Sequence, residues 1–377
     1  MKFKRVLSIE EIGSQHKTNA FDILRVAAAL GVLVSHSYAL YGLVQPNLLG
    51  GRSLGTVCVD IFFAISGYLV AQSWLRDPSA LRFMYRRALR IFPGLIVAVL
   101  ITVFVIGVIA SRFDVLNYFS SPLTWNYILV NAVLLTGEGN LPGVFEKNPY
   151  PLAINGSLWT LRYEILMYVL LALIGLFCKL TGNVKNIRWA CLSILIIFIG
   201  AGCVFHVRHV LHLNIAVPYF WRMGLSFDII WIITMGTYFF VGASLCFFDR
   251  LIRLNLIFAS GIVVIAPLIV DGLFLQLILW LFLPYWAICF AWKAPTFFKK
   301  FKGFDYSYGI YIYAWPIQQL VAMGSDKYSL SFESTLAFAA MLTIAVAAIS
   351  WHWVEQPALA LKPKIKRIFV KDLNSAP

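Results

Sequence analysis

Ten apolar stretches, each close to the roughly 20 residues that carry a helix across a bilayer, follow one another along this chain of 377 residues, near 20–43, 54–74, 89–110, 157–178, 188–206, 227–248, 254–270, 272–292, 304–323 and 334–357. No water reaches the hydrocarbon to satisfy backbone N–H and C=O groups, so segments of this length must cross as α-helices. The fold class is an all-α polytopic membrane protein with about ten transmembrane helices. Composition agrees: 13% of residues are charged and 60% are hydrophobic, whereas a soluble domain is about a quarter charged. A shorter stretch, 124–136, is expected to form a re-entrant or interfacial helix. The chain divides into a short N-terminal tail (1–19), a transmembrane domain (20–357) and a basic C-terminal tail (358–377), and both tails are too short to fold alone.

The net charge of +14 reads as topology rather than as a nucleic-acid surface, because Lys and Arg concentrate in cytoplasmic loops. With ten spans and both termini inside, 23 of the basic residues fall in inner segments and 6 in outer loops. Making 124–136 a full crossing would invert every later loop. The first apolar run follows Lys2, Lys4, Arg5 and Lys17 and contains Arg25, which fits an uncleaved anchor better than a signal peptide. The six cysteines show no paired spacing, so neither a disulfide framework nor a metal site is expected. His206, His209 and His212 read as an interfacial cluster rather than a metal site, since no acidic or cysteine ligand accompanies them. GxSxG, Walker and HExxH motifs are absent from the sequence, against a hydrolase elbow, an ATPase or a zincin.

Ionisable groups at membrane depth are costly and mark function by default. Arg25 and His36, eleven residues apart in the first span, share one helix face roughly 16 Å apart along the axis. Counting from the helix ends predicts His36 and Asp60 at comparable outer depth on adjacent helices, with Arg162 and Glu164 in the outer third of the fourth span. A histidine oriented by a carboxylate is a general-base arrangement. Arg87 and Arg90, at the basic entry to the third span, share a face and suit phosphate recognition. The outer loop 111–156 is a candidate acceptor-binding surface.

Six stretches, in order, resemble the acyltransferase 3 family of bacterial integral-membrane acyltransferases, which includes O-antigen and exopolysaccharide O-acetyltransferases. They are Arg25 with His36; Asp60 through Ser66, Gly67 and Tyr68; Arg87 through Arg90 to Pro93; Asn155 through Trp159 and Arg162 to Glu164; Asp305 through Trp315 and Pro316; and Glu355 to Pro357. The likeness spans about 18–360.

The resemblance implies acetyl-CoA as acyl donor, used from the cytoplasmic side of a bacterial inner membrane, and a lipid-linked or polysaccharide hydroxyl as acceptor. No metal and no nucleic-acid partner is expected, from the residue spacing and charge topology above, and the oligomeric state is open. His36 would be the general base and Asp60 or Glu164 its orienting carboxylate. Arg25 would position the donor or stabilise the oxyanion, and Arg87 and Arg90 would hold the CoA phosphates. Ser66, Asn155, Trp159 and Arg162 would contact substrate. The alternative is a transporter or flippase using His36, Asp60, Arg162 and Glu164 as a relay.

Overall fold

A computed structural model describes residues 19–134, 139–210, 227–299, 305–325 and 329–362. Nearly all of the two tails, His212 and the His209 side chain lie outside the described residues. The main elements are α1 (Phe21–Leu40), a hairpin of β1 (Asn47–Leu48) and β2 (Arg52–Ser53), α2 (Leu54–Arg76), α3 (Ala80–Ile101), α4 (Pro122–Ala132) and α5 (Trp159–Leu180). They continue with α6 (Ile187–Val210), α7 (Ile229–Phe247), α8 (Leu256–Ile269), α9 (Gly272–Lys293), α10 (Ser307–Ser325) and α11 (Phe332–Ser350). α3 runs on helically to Ala110 and α11 to Ala360.

Among the described residues, eight helices are long and apolar enough to cross a membrane. α8, at 14 residues, is shorter than the usual span. α10 has 19 residues, but its tyrosines, glutamines and serines set it apart from the aliphatic spans. All ten apolar stretches of the sequence are therefore helical, and the fold is all-α and polytopic. α4, 11 residues long, buries Thr124, Tyr127 and Asn131. That single helical face is what a short, half-embedded helix presents.

Polar α10 lies at the centre, against α1 and α11. Pro316 removes the N–H that would bond the carbonyl of Ile312. The Asn155 side chain supplies the missing donor, with Nδ2 2.9 Å from Ile312 O. Gln319 Nε2 donates to the carbonyls of Tyr150 and Ala153 at 2.8 and 2.9 Å, and Asn148 Nδ2 donates back to Gln319 O at 2.8 Å. The loop before α5 is thereby drawn down into the bundle, and α5 starts deep inside it.

α2 and α7 meet through reciprocal glycines, the small-residue contact that lets membrane helices approach closely. A methyl on Gly67 would stand 1.9 Å from Phe239 O, and one on Gly242 would stand 2.0 Å from Ala64 O. Neither carbonyl can yield without moving its helix. Gly242→Ala should therefore cost about 1–3 kcal/mol, the usual range for overpacking, and lower the melting temperature in detergent by several degrees. An unchanged melting temperature would show that the two helices can part freely.

Candidate active site

The structure divides the ionisable residues of the first spans by depth. A methyl on Gly31 would lie 2.5 Å from Cys58 Sγ, and one on Gly55 would lie 2.9 Å from Ser35 Oγ. This antiparallel register sets Asp60 level with residues 29–30, roughly 9 Å along the axis from His36. The expectation of equal depth fails because the β1–β2 hairpin folds back, so α2 begins level with Ser35 rather than at the outer end of α1. Asp60 pairs instead with Arg52 of β2, whose Nη1 donates to Gln276 Oε1 at 2.8 Å.

Glu164 also lies deeper than expected, since α5 itself starts inside the bundle. It accepts a hydrogen bond from Ser66 Oγ at 3.1 Å and one from the Tyr168 hydroxyl. Arg162 is buried, with its guanidinium over the rings of Tyr163 and Phe227 at 5.2 and 5.3 Å. Neither Asp60 nor Glu164 reaches the buried Nδ1 of His36, which has no hydrogen-bond partner among the described residues.

His36 is held by α10. Its ring meets the Trp315 indole edge-on at a centroid distance of 4.8 Å. Trp315 Nε1 donates to Ala153 O at 3.0 Å, which sets the indole's orientation. Three residues on, Gln318 Nε2 donates to Leu33 O and Ser37 Oγ at 2.7 and 2.5 Å, fixing the turn of α1 that carries His36. Trp315 belongs to a stretch that the family resemblance marks without giving it a role, and Gln318 lies beyond that stretch. The signal was there: two glutamines beside a proline are unusual in an otherwise apolar helix.

Two cavities flank this region. The first, the arginine cavity, has a volume of about 100 Å³ and is lined by Arg25, Arg87, Arg90, Ser66, Glu164, Tyr168 and Tyr308 among others. Arg25 and Arg90 both pair with Asp305, and Ser307 Oγ donates to the same carboxylate at 2.5 Å. Two guanidiniums and a hydroxyl thus converge on one largely buried carboxylate. Two other arginines of α3, Arg82 and Arg86, bond Asp77, each with a contact of 2.6 Å. Arg87 differs from all of these. It forms no salt bridge among the described residues, its Nε has no partner there, and its guanidinium lies 5.8 Å above the Tyr168 ring.

The second, the loop cavity, has a volume of about 380 Å³ and is lined by Tyr127, Asn131, Asn140, Tyr150, Asn155 and Trp159 among others. Consecutive residues at the start of α5 line different cavities, Trp159 the loop cavity and Thr160 the arginine cavity. Thr160 Oγ1 and the Tyr311 hydroxyl, which also lines the arginine cavity, are 2.6 Å apart. One helical turn beyond Tyr311, Trp315 contacts both His36 and Tyr150, the latter at 5.7 Å between ring centroids. The Trp315 indole thus lies between His36 and Tyr150, a residue of the loop-cavity wall.

The acyltransferase domain family matches residues 18–353. The chain is 30% identical over 348 residues to an O-acetyl transferase of Shigella phage Sf6, covering 90% of this chain and 96% of that protein. It is 27% identical over 399 aligned positions to nodulation protein 10 of Rhizobium leguminosarum bv. viciae, covering 94% and 96% respectively. No solved structure matches the chain. With the match running through every helix that builds the two cavities, the chain belongs to the acyltransferase domain family of enzymes.

Proposed function

We propose that this enzyme transfers an acetyl group from acetyl-CoA to a hydroxyl of a cell-surface or lipid-linked carbohydrate, with His36 as general base. The observation that carries this reading is that adjacent residues at one helix start, Trp159 and Thr160, line two chemically different cavities, while Trp315 of α10 touches both the one histidine of α1 and Tyr150 of the loop cavity. An arginine-lined cavity suits the anionic donor. A cavity walled by tyrosine and tryptophan rings and asparagine amides suits a sugar, offering flat apolar faces and donor–acceptor pairs for hydroxyls. The O-acetyl transferase among the relatives supports acetyl as the group carried.

In the reaction, the acceptor hydroxyl gives its proton to the His36 imidazole as its oxygen attacks the thioester carbonyl. Collapse of the tetrahedral adduct breaks the C–S bond, and the imidazolium returns the proton to the departing CoA thiolate. Arg87 holds donor phosphate. Arg25 and Arg90 flank the donor, and Ser66 and Glu164 line the space for its thioester end. Trp159 and Tyr150 face the acceptor, Asn155 holds the loop that carries them, and Asp60, tied to Arg52, and Arg162 stabilise the surrounding helices. By the positive-inside rule, the arginine cavity opens to the cytoplasm of a bacterial inner membrane, with both termini on that side.

The test is incubation of the purified protein in nanodiscs with acetyl-radiolabelled acetyl-CoA and crude lipid-linked glycan. Label should appear in the glycan as an alkali-labile ester. Label confined to acetyl-CoA and free acetate would overturn the reading.

A further inference from the structure

Asp305, in the turn preceding α10, joins two arginines whose helices are remote in sequence. Arg25 Nη1 of α1 lies 2.5 Å from its Oδ2, and Arg90 Nη2 of α3 binds the same oxygen. The other oxygen accepts from Ser307 Oγ at 2.5 Å. Both arginines line the arginine cavity, and their side chains are only 21% and 12% exposed. Arg90 also lies 5.8 Å over the Tyr308 ring, and Tyr308 in turn donates to Ile91 O at 2.7 Å. One carboxylate therefore forms ion pairs with two of the three arginines on the cavity wall, while Glu164, on the same wall, bonds Ser66 and Tyr168. Arg87, one helical turn before Arg90 on α3, has no carboxylate of this kind.

We propose that Asp305 is a positioning residue of the donor site. It holds Arg25 and Arg90 as a compensated pair against the wall, leaves Arg87 as the cation that engages donor phosphate, and limits how tightly coenzyme A is retained. This rests on the reading of the arginine cavity as the donor site. A transferase must release CoA after each turnover, and three arginines faced only by Glu164 in a largely buried cavity would bind its phosphates too strongly for that, because charge interactions are screened little away from water.

Asp305→Asn keeps the shape and adds one positive unit to the cavity. It should tighten CoA as a product inhibitor about 3- to 10-fold, lower the donor KM and lower kcat, while Asp305→Glu keeps wild-type inhibition. A merely structural carboxylate would give the opposite sign, with donor KM raised or unchanged, and that result would overturn the proposal. Removing one partner of a buried pair can unfold a protein, whereas removing both is milder. Arg90→Gln and the double variant Arg90→Gln/Asp305→Asn therefore provide the second comparison. The double variant should bind CoA about 3- to 10-fold more tightly than the single one, and equal or weaker binding would overturn the proposal. If wild-type protein shows no acetyl-CoA-dependent transfer, the donor reading itself fails. If wild type transfers acetyl but CoA inhibition does not respond to Asp305, only the present proposal fails.

Discussion

His36→Ala should reduce kcat for acetyl transfer by about 10²–10⁴-fold, the range that a positioned general base contributes, while the donor KM stays near its wild-type value. The split follows from the geometry. His36 contacts Trp315, which also touches Tyr150 of the loop-cavity wall, and is absent from the lining of the arginine cavity, so on the proposed reading its loss removes proton transfer without touching the phosphate contacts. His36→Gln should be as inactive as His36→Ala, since an amide fills space against the indole but cannot accept the hydroxyl proton at neutral pH. A parallel rise in donor KM would mean that His36 binds the donor rather than the acceptor proton.

Arg87→Ala should raise the donor KM by about 10- to 100-fold, as expected when a charge-assisted contact of about 1.5–3 kcal/mol is lost, with a smaller change in kcat. Arg87→Lys should restore binding only in part, because an ammonium keeps the charge but lacks the planar fork that matches phosphate. Arg82→Ala is the control. Arg82 is bonded to Asp77 through both Nε and Nη2, and Arg86 keeps its own contact to Asp77 when Arg82 is removed. Steady-state kinetics against acetyl-CoA distinguish these outcomes. Equal effects of Arg82→Ala and Arg87→Ala would indicate a diffuse basic surface rather than a site.

Much of the architecture is legible in the amino-acid sequence. Hydropathy locates all ten apolar helices, because an unsatisfied backbone in hydrocarbon leaves a stretch of that length no other structure. The Arg25–His36 spacing separates a residue of the arginine cavity from one beside Trp315, as three helical turns require. Depth on neighbouring helices is less legible. Hydropathy shows where an apolar run ends, but not that the β1–β2 hairpin folds back or that a loop sinks to meet a carbonyl exposed by Pro316. Those two features move Asp60 and Glu164 away from the level of His36. Ion pairs between remote segments are also invisible in the sequence: Arg25 and Asp305 are separated by 280 residues, and nothing local announces their contact. Asp305 and Trp315 lie in a stretch whose polarity stands out, yet polarity alone assigns neither a role.

On the proposed reading, acetyl passes through the bundle, from a donor held at the arginine cavity to an acceptor in the loop cavity. Sidedness tests it most directly. Sealed proteoliposomes can be sorted by orientation through protease access to the basic C-terminal tail, then given labelled acetyl-CoA outside and short-chain lipid-linked glycan acceptor inside, or the reverse. Transfer should occur only when acetyl-CoA is on the face that bears the C-terminal tail and the acceptor sugar is on the opposite face. Transfer that requires both substrates on the same face would contradict the account.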